Sequence, residues 1–219
     1  MLLQACAPAC ADGAAVDVGA GVGAAGLSLL ARAPALAMTL VEIDAACVAL
    51  ARANIAANGF AMRAQVAEAD VLRPAARRAA GLSDGAAALV LTNPPFYAPD
   101  TVRMSPDAAR ARAHVGAIGP WMKAALALLA PGGAFVMIHR PEALADILQA
   151  AQGRLGALRI KPVAPRAGAH AIRLLVAGRK GSRAPLAILP DLTLHEPDGP
   201  FTAEAAALHR GEARIDMEL

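Results

Sequence analysis

At 219 residues, 57% of them hydrophobic, the chain is long enough for one full core and short for two. Its mean hydropathy of +0.45 owes much to alanine. The longest apolar candidate, "WMKAALALLAPGGAFVMI", is cut by Lys123, Pro131 and two glycines, which argues against a membrane span, and the net charge of +3 permits a nucleic-acid partner without pointing to one.

The opening "MLLQACAPAC" has no basic segment and too short an apolar run for a secretory signal, so a cytoplasmic chain is expected. Cys6 and Cys10 stand four apart with no further Cys or His at ligand spacing. They read as helical thiols, and no metal site is expected.

The first strand is "AAVDVGA" (14–20), followed by a glycine turn and the helix "GAAGLSLLARA". Asp17 lies in the strand, and Gly19, Gly21 and Gly23 lie in the turn. Glycines there let a ligand approach the backbone, and the helix that follows offers free N–H groups. The second strand, "AMTLVEID" (37–44), places Glu42 about 20 residues on, where a carboxylate can accept both hydroxyls of a ribose. An acidic Asp17 beside the turn would repel a pyrophosphate but suits a cationic ligand. The helix "AACVALARANIAANG" then stops at Asn58-Gly59, and the third strand, "AQVAEAD" (64–70), ends on Asp70.

This D-x-G-x-G-x-G run followed by V-E-x-D resembles motif I and its acidic partner in class I S-adenosylmethionine (AdoMet) methyltransferases. The resemblance implies a Rossmann-like fold with AdoMet as cofactor. Asp17, Gly19, Gly21 and Gly23 would then hold the methionine end, Glu42 the ribose and Asp70 the adenine amino group. Read for packing alone, the glycines serve close helix–strand contact, and Asp70 is an ordinary turn residue.

After the short helix "PAARRAAG", the fourth strand, "AALVLTN" (87–93), runs into "NPPF". Two prolines end a strand abruptly and leave a rigid backbone. In a doubly wound sheet this strand neighbours the first across the switch point, so its tip shares the crevice. An amine conjugated to a ring or carbonyl is a poor nucleophile until both its N–H bonds are accepted and its lone pair is aimed. The Asn93 amide oxygen and the Pro94 carbonyl, held by Pro95, can do this, and Phe96 can stack on a flat acceptor. The tetrad resembles motif IV of amino methyltransferases that act on adenine N6, cytosine N4 or a glutamine amide.

Next come Arg103, Arg110, Arg112 and His114, which could hold substrate phosphates or be ordinary solvated side chains. This run, with "DLTLHEPDGPFTAEAAALH" near the C-terminus, resembles the bacterial tRNA (adenine-N6)-methyltransferase family that modifies the anticodon loop of a valine tRNA. That resemblance implies a tRNA partner, with the adenine turned out and read on its amino edge. It also implies a longer lead before motif I than "MLLQACAPACADG", so a shortened start with weaker AdoMet binding is expected.

The rest reads as the helix "HVGAIGPWMKAALALLAP" with Trp121 in the core, the strand "AFVMIHR", the helix "PEALADILQAAQGRLG", and the strands "LRIKPVA" and "AIRLLVAGR" with no helix between them. The expected fold is therefore a doubly wound, seven-stranded, mostly parallel sheet with an antiparallel edge hairpin, in one domain over 1–219. A short hairpin-like extension with a helix starting at Thr202 follows. Arg154, Arg159, Lys161, Arg166, Arg173, Arg179, Lys180 and Arg183 make this third basic, either as an RNA path or as a solvated edge. Three alternatives stay open: a release-factor glutamine N5-methyltransferase, an NAD-dependent oxidoreductase using the glycine turn, and a catalytically silent RNA-binding relative.

Overall fold

The computed structural model describes residues 2–8, 11–95 and 118–219. A one-turn helix α1 (Leu2–Ala5) precedes β1 (Gly13–Val18), α2 (Ala24–Arg32), β2 (Leu36–Glu42), α3 (Ala45–Ala57), β3 (Ala64–Glu68), α4 (Pro74–Ala79) and β4 (Ala87–Thr92). Then come α5 (Ile118–Leu128), β5 (Leu129–His139), a 3₁₀ turn (Pro141–Ala143), α6 (Leu144–Ala151), β6 (Leu155–Ala164) and β7 (Arg173–Lys180). Two short strands, β8 (Ala187–Ile188) and β9 (Leu192–Thr193), and the helix α7 (Ala203–Arg210) complete the described elements.

The strands form one sheet in the order β3-β2-β1-β4-β5-β7-β6-β8, with β9 also on β6. β1 to β5 are parallel, whereas β7 runs antiparallel between β5 and β6. The expected antiparallel pair is therefore present, with β7 inserted next to the parallel core. The expected hairpin-like extension differs in detail. β8 and β9 do not pair with each other but add in parallel to β6, and the antiparallel contact is a single bridge between His195 and Phe201.

Side chains alternate across the sheet as a period of two requires. Leu89, Leu91, Val136, Leu175 and Ala177 face the layer holding Leu27, Leu29 and Leu30 of α2. Val16, Val18, Val90, Phe135, Met137 and Val176 face the layer holding Trp121, Met122 and Ile147 of α5 and α6. Both faces are covered, which explains why these strands read as almost continuous apolar runs. Asp17 lies on the α2 side, and Thr92 on the α5 side.

Helix ends follow local chemistry. Asp44 caps α3, accepting from Ala46 N at 2.8 Å and Cys47 N at 3.1 Å, and Thr202 caps α7 through Ala205 N. Asn58-Gly59 ends α3 as its residues suggest, with Gly59 at φ 69°. α5 stops earlier than expected: β5 begins at Leu129, and Pro131-Gly132 fall within the strand where its register with β4 slips. At the C-terminal side, Ile215 N donates to the Ala5 carbonyl at 2.9 Å, and Ile215 and Met217 join the α2-side core.

Candidate active site

The C-terminal tips of β1, β2, β3 and β4 lie side by side at one edge of the sheet. At the β1 tip, Gly19 N and Ala20 N both donate to the Val41 carbonyl, at 2.9 and 3.0 Å, which binds the glycine turn to the end of β2. Gly23 has φ 89°, and a Cβ there would stand 2.8 Å from Leu40 Cδ1, so the entry to α2 admits only glycine.

Glu42 is held in one orientation. Its Oε2 accepts from Gly21 N at 2.8 Å, and its Oε1 accepts from Ile43 N at 2.8 Å and Asp44 N at 3.0 Å. A carboxylate has about four acceptor positions, so one stays available to a ligand hydroxyl. The main chain of Glu42 also accepts from Ala69 N at 2.9 Å, which brings the tip of β3 alongside. There Asp70 accepts from Leu72 N at 3.0 Å and pairs with Arg73 Nε at 3.1 Å.

Asp17 does different work from Glu42. Its carboxyl is only 2% exposed. Oδ2 accepts from Gly26 N, in the first turn of α2, at 2.9 Å. Gly23, at the N-cap, has no side chain to supply that bond, so Asp17 anchors the helix start from the strand below. Burial pushes its pKa from 3.8 to about 7, the Gly26 N–H pulls it back, and the Glu42 charge raises it further.

The register pairs Val18 with Thr92. Asn93 is therefore the next residue out on β4, as Gly19 is on β1. Asn93 is exposed, Pro94 buried and Pro95 half-buried. A crevice at the tips of β1, β2 and β3 is lined by Gly19, Val41, Glu42, Ile43, Ala69, Asp70, Val71, Leu72 and Trp121, and its free space, open solvent included, is about 340 Å³. Among the expected site residues, Gly19, Glu42 and Asp70 meet in this crevice, while Asp17 lies beneath it. Phe96, Arg103, Arg110, Arg112 and His114 lie outside the described residues, as does Cys10.

Sequence reasoning assigned Trp121 to the core, where it is, and gave it no part in the crevice. The residue is buried, but its ring borders the crevice. The signal was its place in the helix that returns from NPPF towards the sheet.

In the basic C-terminal third several cations are tied to main-chain carbonyls, while Arg154, Arg166 and Arg183 are exposed. Arg159 donates to the Pro185 carbonyl, Lys161 to Pro190, Arg179 to Gly132, and Lys180 to Leu126 and Leu129 at the end of α5. Arg63 does the same at the end of α2, reaching the Leu30, Ala33 and Leu36 carbonyls. His139 is buried at the end of β5, and burial holds its imidazole below the usual histidine range.

Among the described residues, no helix is long and apolar enough to cross a membrane, and no group of three or more His, Cys, Asp or Glu is placed to hold a metal ion.

The model of the methyltransferase small domain family matches residues 1–155. The chain belongs to that family. A solved Agrobacterium tumefaciens structure, described as a predicted O-methyltransferase, is 33% identical and superposes with a TM-score of 0.83, covering 100% of this chain and 98% of its own. The tRNA1(Val) (adenine(37)-N6)-methyltransferase of Erwinia tasmaniensis is 29% identical over 96% of this chain and 84% of its own length. The enzyme of the same name from Porphyromonas gingivalis is 32% identical over 68% of this chain, which spans only 58% of that relative.

The fold is thus that of a class I AdoMet-dependent methyltransferase, and AdoMet is its cofactor. The crevice suits it chemically. Apolar walls (Val41, Val71, Leu72 and the Trp121 ring) can enclose a flat base, the Glu42 and Asp70 carboxylates can accept from hydroxyl or amino donors, and a Cβ at Gly21 would meet nothing within 4 Å, so the turn is open to an approaching ligand.

Proposed function

We propose that this methyltransferase acts on an exocyclic amino group, adenine N6 in tRNA, and that residues 1–219 work as one cytoplasmic domain. The observation that carries the proposal is the adjacency of two strand tips. Val18 pairs with Thr92, so the glycine turn and the start of Asn93-Pro94-Pro95 are neighbours at one edge.

Bound AdoMet supplies an electrophilic methyl group on a sulfonium. In this assignment Glu42 accepts from one ribose hydroxyl through its remaining acceptor position, and Asp70 accepts from the adenine amine of the cofactor. The turn anchored by Asp17 receives the methionine end. Asn93 Oδ1 and the Pro94 carbonyl accept the two N–H bonds of the substrate amine and turn its lone pair towards the crevice, Phe96 stacks on the base, and Arg103, Arg110, Arg112 and His114 hold phosphates. The nitrogen would gain the methyl as the bond from that carbon to sulfur breaks, leaving the cofactor as a neutral thioether, and would lose one proton, acidic enough on the methylated centre to pass to water.

The acceptor atom is argued from the strand tip rather than from the relatives' names. Hydroxyl methylation calls for a group that removes a proton before or during attack. An amide and a proline carbonyl offer none, whereas they match an NH₂ group. The names of the Erwinia and Porphyromonas relatives support adenine N6 in tRNA.

Incubating the protein with labelled AdoMet and total tRNA, then separating nucleosides by mass spectrometry, tests the proposal. N6-methyladenosine is the expected product. Label found only in an added release factor would replace this assignment with glutamine methylation.

A further inference from the structure

Trp121 is the one tryptophan in the chain, and it stands where the two halves of the site join. Its indole Nε1–H donates to Thr92 Oγ1 at 2.8 Å, and Thr92 Oγ1 donates to the Val18 carbonyl at 2.8 Å. Thr92 has 0% exposure. A hydroxyl has a single proton to give, so once Thr92 gives it to Val18, only a lone pair is left facing the helix. The indole N–H, a donor only, is the complementary partner. The relay thus joins the last residue of β1 to the last residue of β4, each one step before a residue assigned to the site.

The ring performs a second task. A Cβ placed on Gly19 would come within 2.9 Å of Trp121 Cζ2 and 3.0 Å of Cη2. The indole therefore lies directly on the backbone of the glycine turn, which itself has φ 71°. The ring also borders the crevice that Gly19, Glu42 and Asp70 line. A tryptophan serving the core alone would be enclosed by core side chains and would border no crevice.

We propose that Trp121 is a positioning residue of the methyltransferase. Its ring forms the wall of the AdoMet crevice over Gly19, and its N–H, relayed by Thr92, fixes the spacing between the β1 tip and the β4 tip that carries Asn93. The proposal rests on AdoMet occupying this crevice and is independent of tRNA being the acceptor.

Because Trp121 is the sole tryptophan, its emission is a direct probe. AdoMet is titrated into the full chain while emission and calorimetric heat are followed in parallel. A saturable change in emission with the calorimetric midpoint is expected. Thr92→Val, which keeps the volume and removes the hydroxyl, is expected to shift the emission of the AdoMet-free protein to shorter wavelength. It is also expected to raise the AdoMet Kd about tenfold, the scale of one buried hydrogen bond, and to speed hydrogen exchange at the Gly19 amide, which donates to the Val41 carbonyl. Thr92→Ser, which restores the hydroxyl, is expected to reverse all three effects.

Emission indifferent to AdoMet that calorimetry shows to be bound overturns the proposal, and so does a Thr92→Ser protein as impaired as Thr92→Val. Should Thr92→Val fail to fold, the unmodified titration decides alone. Absence of any heat of binding removes both this proposal and the assignment of the crevice to AdoMet. A normal titration without methyl transfer to tRNA supports the wall and removes only the tRNA acceptor.

Discussion

Replacing Asp17 by Asn should make the AdoMet-free protein more stable at neutral pH, because the wild-type carboxylate is held against its own ionisation. Burial lifts its pKa from 3.8 to about 7. The unfolded chain therefore ionises Asp17 well before the folded chain does. The stability this group lends is complete below the unfolded value and is lost as pH rises through the folded one, so destabilisation accumulates between roughly pH 4 and 7 and levels off above. At about 1.4 kcal/mol for each pKa unit, the penalty at pH 8 reaches at most about 4–5 kcal/mol. Asparagine keeps an oxygen to accept from Gly26 N, now 2.9 Å from Oδ2, and carries no charge. Urea denaturation of both proteins at about pH 5, 6, 7 and 8 tests this. The advantage of Asp17→Asn should widen with pH and then hold steady, while its AdoMet affinity falls. A difference that stays constant across the range, or a variant less stable at pH 8, would refute the account of a strained buried carboxyl.

Asn93→Ala should leave the AdoMet Kd within about twofold while lowering kcat by two orders of magnitude or more, the cost of about 3 kcal/mol in lost positioning; persistent turnover would remove the amide from the mechanism. Glu42→Gln sets an NH₂ group against backbone donors from Gly21, Ile43 or Asp44, so calorimetry should show AdoMet binding weakened about tenfold or more. Arg63→Met keeps the aliphatic stem but withdraws the donors from the Leu30, Ala33 and Leu36 carbonyls. Chemical denaturation should show a loss of about 1–3 kcal/mol with AdoMet affinity preserved.

The parallel half of the sheet was legible because each of its strands is an apolar run closed by a turn signal, and the glycine turn and NPPF mark two tips that the topology brings together. What escaped depends on contacts distant in the chain. Nothing within "AIRLLVAGR" says that it lies between β5 and β6 rather than outside both. β8 and β9 are two residues each, too short for any periodicity to register. Trp121, beside Met122 and Leu126, has the pattern of a core helix, and only its bond to Thr92, 29 residues earlier, puts it at the crevice. Likewise, nothing in the sequence around Asp17 shows that one oxygen of its carboxyl accepts from Gly26, nine residues on.

The cations that clasp main-chain carbonyls bear on how a tRNA footprint could ever be mapped. Lys180 closes off the end of α5, Arg159 and Lys161 fasten the segment around β8, and Arg63 secures α2. Neutralising any of them is expected to loosen the molecule, and would lower retention of the proposed tRNA partner for that reason alone. A footprint charted by charge removal alone would trace the protein's own scaffolding, unless every variant is first weighed for its folding.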